Sequence, residues 1–269
     1  MEPAPLTPPL KWAGGKRWLV PTLQQIWQNH VQNHAQNHAP CRLVEPFVGG
    51  MAVALGLQPK TALLNDLNPH LINFYRWLQR GLEIDSDLEN DAVYYYACRE
   101  RFNQLVLAGK TDGQEAAKLF YFMNRTGYNG LCRFNNKNLF NVPFGRYKTI
   151  RYAESFLQYA PTLANWQFSA LDFRVLQLEP TDFIYADPPY DVQFTKYSAQ
   201  DFRWEDQVCL AEWLAAHPGT VVASNQATER IVALYERLKF RLIYLNAPRR
   251  ISCTGNRQPA VEILALRGA

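Results

Sequence analysis

Long apolar runs are missing from this sequence: nothing in it approaches the roughly twenty residues that a bilayer-spanning helix needs. The first residues, Met1 to Pro9, are rich in proline and lack the apolar centre of a signal peptide, so the expected setting is cytoplasmic. Cysteine is sparse and scattered. Cys41, Cys98, Cys132, Cys209 and Cys253 fall at no paired spacing, which argues against a disulfide framework or a zinc site. A reducing compartment fits, and neither a metal nor a membrane partner is expected. Also missing is the full G-x-G-x-x-G fingerprint, and with it the case for an NAD-linked oxidoreductase. Acidic residues are absent from two long stretches. Between Glu115 and Glu154 there is none, while Lys118, Arg125, Arg133, Lys137, Arg146, Lys148 and Arg151 all fall there. A second acid-free stretch carries Arg237, Lys239, Arg241, Arg249, Arg250 and Arg257. The net charge is only +4, so the distribution is what matters. Phosphates attract such stretches and the interleaved Asn, Tyr and Phe can reach bases, which makes nucleic acid the expected partner.

What the chain does contain is a turn suited to a planar amine. The apolar run Phe183-Ile184-Tyr185-Ala186 reads as a buried strand, and Asp187-Pro188-Pro189-Tyr190 follows it at once. The prolines have no N–H to donate and fix φ, so the sheet cannot continue and the backbone stiffens where a ligand would sit. The Asp187 carboxylate and the Pro188 carbonyl offer two acceptors, and Tyr190 offers a flat face. Together they could hold two N–H groups of an aromatic amine and leave its lone pair facing an electrophile.

The 269 residues read as one large α/β domain split by an insertion. Lys11-Trp12-Ala13-Gly14-Gly15-Lys16 precedes a helix expected from about Arg17 to Trp27; its glycines allow close backbone approach, and its lysines and Trp could hold a carboxylate and an adenine. A four-residue unit then repeats three times from Trp27 to His38. If it were helical, His30, His34 and His38 would share a face at metal-ligand spacing, but a solvated low-complexity insertion is the expectation. Arg42 to Phe47 reads as a strand, Val48-Gly49-Gly50 as a turn, and a helix starts near Met51. A second strand, Ala62 to Asn65, ends in Asp66, about twenty positions past the first, where an acid suits ribose hydroxyls. Pro69 to about Asn124 is helical and aromatic-rich, with Leu71, Phe74, Tyr75 and Leu78 as core. Asn124 to Phe140 then has the Asn and Gly of a basic, aromatic β-ribbon. Strands resume at Trp166–Leu171, Phe183–Ala186, Val221–Ser224, Phe240–Asn246 and Ala260–Leu266, with helices at Glu205–His217 and Thr228–Leu238. The last two strands are joined without a helix and should run antiparallel. About seven strands with helices between most of them imply a doubly wound, Rossmann-like sheet.

The segments LKWAGGK, LVEPFVGG, NRTGYNGLCRFN, FNVPFGRYK and ADPPY, in that order, resemble a Dam-type DNA adenine N6-methyltransferase over most of the chain from Lys11 to Leu266. The resemblance implies S-adenosylmethionine as donor, double-stranded DNA as substrate, GATC as target, and base flipping with direct transfer. It implies a catalytic domain of residues 1–66 and 156–269, with a helical target-recognition insertion, 67–155, carrying a β-hairpin. By position, Trp12, Lys16 and Asp66 would bind the cofactor, with Phe47, Gly49 and Asp187 beside it. Asp187, Pro188, Pro189 and Tyr190 would form the catalytic turn that holds the flipped adenine. Lys11, Leu131, Arg133, Pro143 and Tyr147 would read or clamp DNA, with Arg125 and Arg146 in the basic stretch. Tyr128 and Asn129 would fill the gap left by the base. Such enzymes are bacterial or phage-encoded and act at the nucleoid, some beside a restriction nuclease of the same site. Met51 stands where that family often has glycine, so the loop is expected to sit differently over the methionine moiety; the Gln-Asn-His repeat has no counterpart.

Other classes fit less well. A cytosine C5-enzyme needs a nucleophilic Cys after proline, and Pro40-Cys41 precedes the glycine turn instead of following it. A cytosine N4-enzyme shares the fold but has Ser in place of Asp187 in some members. The basic ribbon disfavours a protein glutamine substrate, and its DNA-type motif disfavours RNA. A non-catalytic DNA-binding module would have no use for Lys16, Asp66 and Asp187 together.

Overall fold

The computed structural model describes residues 6–35, 41–84, 87–191, 202–247 and 260–268. Within them seven strands form one sheet: β1 Arg42–Glu45, β2 Thr61–Asn65, β3 Trp166–Ser169, β4 Phe183–Ala186, β5 Val221–Gln226, β6 Arg241–Ala247 and β7 Ala260–Arg267. The strand order is β3-β2-β1-β4-β5-β7-β6. β1, β2, β3, β4 and β5 pair in parallel, whereas β7 runs antiparallel to both β5 and β6, as expected of strands joined without a helix.

Eight α-helices flank the sheet among the described residues: α1 Val20–Ala35, α2 Ala52–Leu57, α3 Pro69–Gln79, α4 Ala92–Leu107, α5 Gln114–Thr126, α6 Ala160–Leu163, α7 Trp204–Ala216 and α8 Glu229–Arg237. All four residues of β4 are buried, as a central strand covered on both faces requires. Its side chains alternate between two cores. Phe183 and Tyr185 join a core with Leu23 of α1 and Leu71, Phe74, Tyr75 and Leu78 of α3. Ile184 and Ala186 join one with Leu210 and Leu214 of α7 and Ile231 and Tyr235 of α8. The chain is thus a doubly wound α/β fold.

The stretch from Pro69 to Asn124 is helical, but in three pieces. Asn68 caps α3 by accepting from the His70 and Leu71 amides, and Pro69 opens it where its missing N–H costs nothing. Gly81 and Gly109, both with left-handed φ, follow α3 and α4, and Asp91 caps α4. These helices lie between β2 and β3 in the chain.

Two expectations are overturned. The first helix does not end near Trp27 but runs to Ala35, through the first two Gln-Asn-His units, which are therefore part of the helix and not an insertion after it, with their Gln and Asn side chains exposed. Those units contain neither Gly nor Pro, and their four-residue period keeps His30 beneath the helix, stacked on Trp27 with ring centroids 5.8 Å apart. His38 lies outside the described residues. The basic segment is likewise not a β-ribbon; its pairing reduces to the single bridges Phe134 with Phe140 and Gly127 with Phe144. Left-handed φ at Asn129, Gly130, Asn138 and Arg146 breaks the extended runs, and Pro143 has no amide to donate. Of the second basic stretch, Arg249, Arg250 and Arg257 lie outside the described residues. No helix among the described residues is long and apolar enough to cross a membrane.

Candidate active site

In an open parallel sheet the crevice lies at the carboxyl ends of the strands, where the winding direction reverses. Here β1 continues through α2 to β2 on one side, while its other neighbour β4 continues through α7 to β5 on the opposite side. The loop after β1, Pro46 to Gly50, and the turn after β4, Asp187 to Tyr190, therefore open at the same place.

The glycine turn is held by its neighbours. Asp66 accepts from the Gly49 amide through Oδ2 at 3.1 Å and from the Asn68 amide through Oδ1 at 3.0 Å. Burial pushes the Asp66 carboxyl above its ordinary range, and those two amide bonds oppose the shift. The Tyr75 hydroxyl donates to the Gly49 carbonyl at 2.5 Å. Trp12 lies directly on the turn: a Cβ at Gly49 would fall 2.7 Å from its indole nitrogen, and one at Gly50 would fall 2.8 Å from its Cβ. Only glycine fits under that ring. Phe47, half-buried, packs on Phe173 and Phe202 at 5.7 Å each.

Met51 ends this turn in a left-handed conformation, φ 59 and ψ 25, with its side chain fully buried. Its backbone is thus one that glycine would adopt without strain. Met51→Gly relieves ~1 kcal/mol of backbone strain but opens a cavity costing ~2–5 kcal/mol, so a net loss of ~1–4 kcal/mol is expected in urea unfolding.

Asp187 is gripped from both sides. Its Oδ2 pairs with Lys16 Nζ at 3.0 Å, and its Oδ1 accepts from Ser224 Oγ at 2.7 Å. Because Ser224 spends its proton on Asp187, the Tyr185 hydroxyl 3.0 Å away must donate to Ser224. Lys16 also donates to the Gly14 carbonyl at 2.9 Å and stands 4.8 Å from the Tyr190 ring centroid. The Tyr190 hydroxyl donates to Glu262 Oε2 at 2.7 Å; burial first, then the Asp187 and Glu262 charges, drive its pKa far above the ordinary phenol range. The Pro189 carbonyl accepts from Gln207 Nε2 at 2.7 Å, and Gln207 in turn accepts from Asn225 at 3.0 Å. The turn is thus a rigid object with an acidic acceptor at its tip.

A second group of candidates gathers beside it. Lys11 is fixed through its backbone, its amide donating to Asn124 Oδ1 at 2.8 Å and its carbonyl accepting from Asn124 Nδ2 at 2.9 Å. Its ammonium donates to the Arg125 carbonyl at 2.8 Å and sits 3.7 Å from the Tyr147 ring centroid. Tyr128 and Asn129 are exposed, and the Tyr128 amide donates to the Pro143 carbonyl at 2.9 Å, so these residues share a surface with exposed Pro143 and Arg146. Leu131 is half-buried against the first core. Arg133 is held apart, its Nε donating to Asn141 Oδ1 at 2.8 Å and its Nη2 to the Asn141 carbonyl at 3.2 Å.

Sequence reasoning missed Ser224, Gln207, Asn225, Glu262 and Asn124. Three of them carried a signal: Ser224 and Asn225 follow an apolar strand run, as Asp187 does, and Glu262 is a lone acid inside the apolar run of β7.

The family model of the D12 class N6 adenine-specific DNA methyltransferases matches residues 12–251. The chain is 34% identical to the Retron Ec67 DNA adenine methylase of Escherichia coli, over 97% of this chain and 91% of that protein. It is 33% identical to the DNA adenine methylase of Haemophilus influenzae, over 97% and 94%. With the DNA N-6-adenine-methyltransferase of Escherichia phage P1 it shares 36% identity over 95% of this chain but 35% of the phage protein. An acidic Asp-Pro-Pro-Tyr turn at the switch point of a doubly wound sheet, found in a chain matched along nearly its whole length, makes this protein a member of the D12 class of adenine-specific DNA methyltransferases.

Proposed function

We propose that this enzyme methylates the N6 amine of adenine within GATC in double-stranded DNA, taking the methyl group from S-adenosylmethionine after swinging the base out of the duplex. The observation that carries this reading is Asp187, buttressed by Lys16 and Ser224, beside the Gly49 turn and Asp66.

The crevice fits the donor. Asp66 keeps lone pairs for ribose hydroxyls after serving two amides, Trp12 and Phe47 offer flat faces to an adenine, and the glycines admit close approach. S-adenosylmethionine supplies a methyl group already activated on a sulfonium. The protein's part is orientation. Asp187 and the Pro188 carbonyl accept the two amine hydrogens and hold the nitrogen in line. Tyr190, fixed by Glu262, stacks on the ring, and unstacking the base costs a few kcal/mol that these contacts offset. Lys11, Arg125, Arg146 and Tyr147 grip the backbone, Arg133 and Leu131 face base edges, Pro143 clamps, and Tyr128 with Asn129 fills the gap.

Transfer of labelled methyl from S-adenosylmethionine to unmethylated plasmid, followed by mapping of modified bases, tests the whole reading. N6-methyladenine confined to GATC supports it. Methylation at another motif removes the target assignment and leaves the chemistry, and labelling of RNA alone removes DNA as substrate.

Lys11 adds a pH dependence. Burial and the Arg125 charge lower its pKa to about 8, so the folded protein loses this positive charge as pH rises through that value. DNA affinity should fall over the same range. Lys11→Met should abolish that fall and reduce the slope of log affinity against log salt by about one. Stability moves the other way: between about 8 and 10.5 the unfolded chain holds a proton that the folded one has lost, so stability rises with pH there. Fluorescence anisotropy on labelled duplex and thermal melting across that window check both signs.

A further inference from the structure

The Gln-Asn-His repeat takes no part in the site above, yet its helical portion holds an arrangement of its own. His30 Nδ1 lies 3.0 Å from Thr220 Oγ1, and the Thr220 hydroxyl donates its one proton to the Gly268 carbonyl at 2.9 Å. Thr220 can therefore only accept from His30, which puts the ring proton on Nδ1 and the lone pair on Nε2. His34 Nδ1 lies 2.9 Å from the His30 carbonyl, an acceptor only, so its lone pair is on Nε2 as well. His30 is 3% exposed, and its Nε2 has no hydrogen-bond partner among the described residues. Leaving such an acceptor buried and unpaired is unfavourable, and a cation on it would remove that penalty. Cys41, just before β1, completes the cluster: one ligand atom each from His30, His34 and Cys41 lie within 4.8 Å of one another.

We propose that His30, His34 and Cys41 form a zinc site, with two neutral imidazoles and a thiolate on a tetrahedral ion and water in the fourth position. Nitrogen and sulfur donors of this kind suit zinc, and bond lengths of ~2.0–2.3 Å put the donors of a tetrahedral site ~3.3–3.6 Å apart, so small side-chain rotations close it. As the sulfur–zinc bond forms, the Cys41 thiol proton passes to solvent. The scattered cysteines gave no hint of this, because two of the three ligands are histidines in a helix. The ion would tie the end of α1 to the amino end of β1, with Thr220, just ahead of β5, orienting His30 behind it. This is the amino end of the parallel strands, opposite the carboxyl end that carries Asp187, so the site is a structural staple and not part of the transfer chemistry.

The test is titration of the metal-free full-length protein with zinc and, separately, with cobalt(II). One ion per chain, a thiolate-to-cobalt charge-transfer band and a raised melting temperature are expected. Cys41→Ser should remove the band and weaken zinc binding at least about tenfold; Thr220→Val, which keeps all three ligands, should weaken it ~10–100-fold. His38→Ala should change nothing. Absence of the band, its persistence in Cys41→Ser, or binding lost with His38→Ala and kept with Cys41→Ser would each overturn the site.

Discussion

Methyl transfer by the Asp187→Ala protein should fall by at least ~10³-fold while its DNA affinity stays close to that of the parent. The loss has two parts. Removing one preorganised hydrogen-bonding group at a reacting centre costs ~10²–10³-fold, and the amine also loses the acceptor that aligns its lone pair. The fold feels the change as well. Lys16 is 5% exposed, and Asp187→Ala removes the counter-charge that its ammonium has among the described residues. Breaking a buried pair costs ~3–5 kcal/mol, and the lower end applies because Asp187 is itself 21% exposed and Lys16 keeps its bond to the Gly14 carbonyl. Asp187→Asn keeps the shape and the Ser224 contact but also removes the counter-charge of Lys16, so it should lose stability much as Asp187→Ala does. It should still transfer methyl far more slowly, because an amide presents a donor where the amine needs an acceptor. Ser224→Ala removes one supporting bond of ~1 kcal/mol and should slow transfer only about fivefold to tenfold. Single-turnover labelling, anisotropy and melting curves on these proteins decide the matter; parental rates in either Asp187 variant would remove it from the chemistry.

The contrast between Asp187 and its supports shows what the chain declares in one dimension. Asp187-Pro188-Pro189-Tyr190 is local: an apolar strand, an acid and two prolines state strand, stop and acceptor within eight residues. The alternating cores of β4 and the antiparallel last pair follow from equally local patterns. The partners that make the turn rigid are not local. Ser224 lies 37 residues from Asp187, and Glu262 lies 72 residues from Tyr190. Only the strand order β4-β5-β7 brings them over, and no spacing rule encodes that order. The repeat misled for a different reason. Polar low complexity reads as solvent-facing, whereas a helix needs only an absence of breakers and one face to bury, and Trp27, His30 and Phe183 supplied that face. The expected β-ribbon failed because Asn and Gly, taken as hairpin turns, occur too often to leave extended residues between them.

Arg133 carries the second large expectation. Its guanidinium has five N–H groups, and Asn141 takes two of them, on Nε and Nη2. The Asn141 amide donates back to the Arg133 carbonyl at 3.1 Å, so backbone and side chain are locked together. What remains is the outer edge, with protons on both terminal nitrogens, the geometry that matches guanine O6 and N7. A side chain already held in one orientation loses little entropy on pairing. A good bidentate contact contributes ~1–3 kcal/mol of discrimination, so Arg133→Ala should reduce the proposed preference for GATC over a site with its guanine replaced by ~5- to 150-fold. Arg133→Lys keeps the charge but not the fork, and should relax the preference almost as far. Asn141→Ala, which frees the side chain without removing it, should fall between parent and Arg133→Ala. Lys11→Met should instead weaken binding to both sites alike, because phosphate contacts carry no base information. Methylation rates on paired duplexes differing at one base separate these outcomes. If Arg133 only braces the loop, Arg133→Ala and Asn141→Ala will lower the melting temperature together and leave the ratio of the two rates where it was.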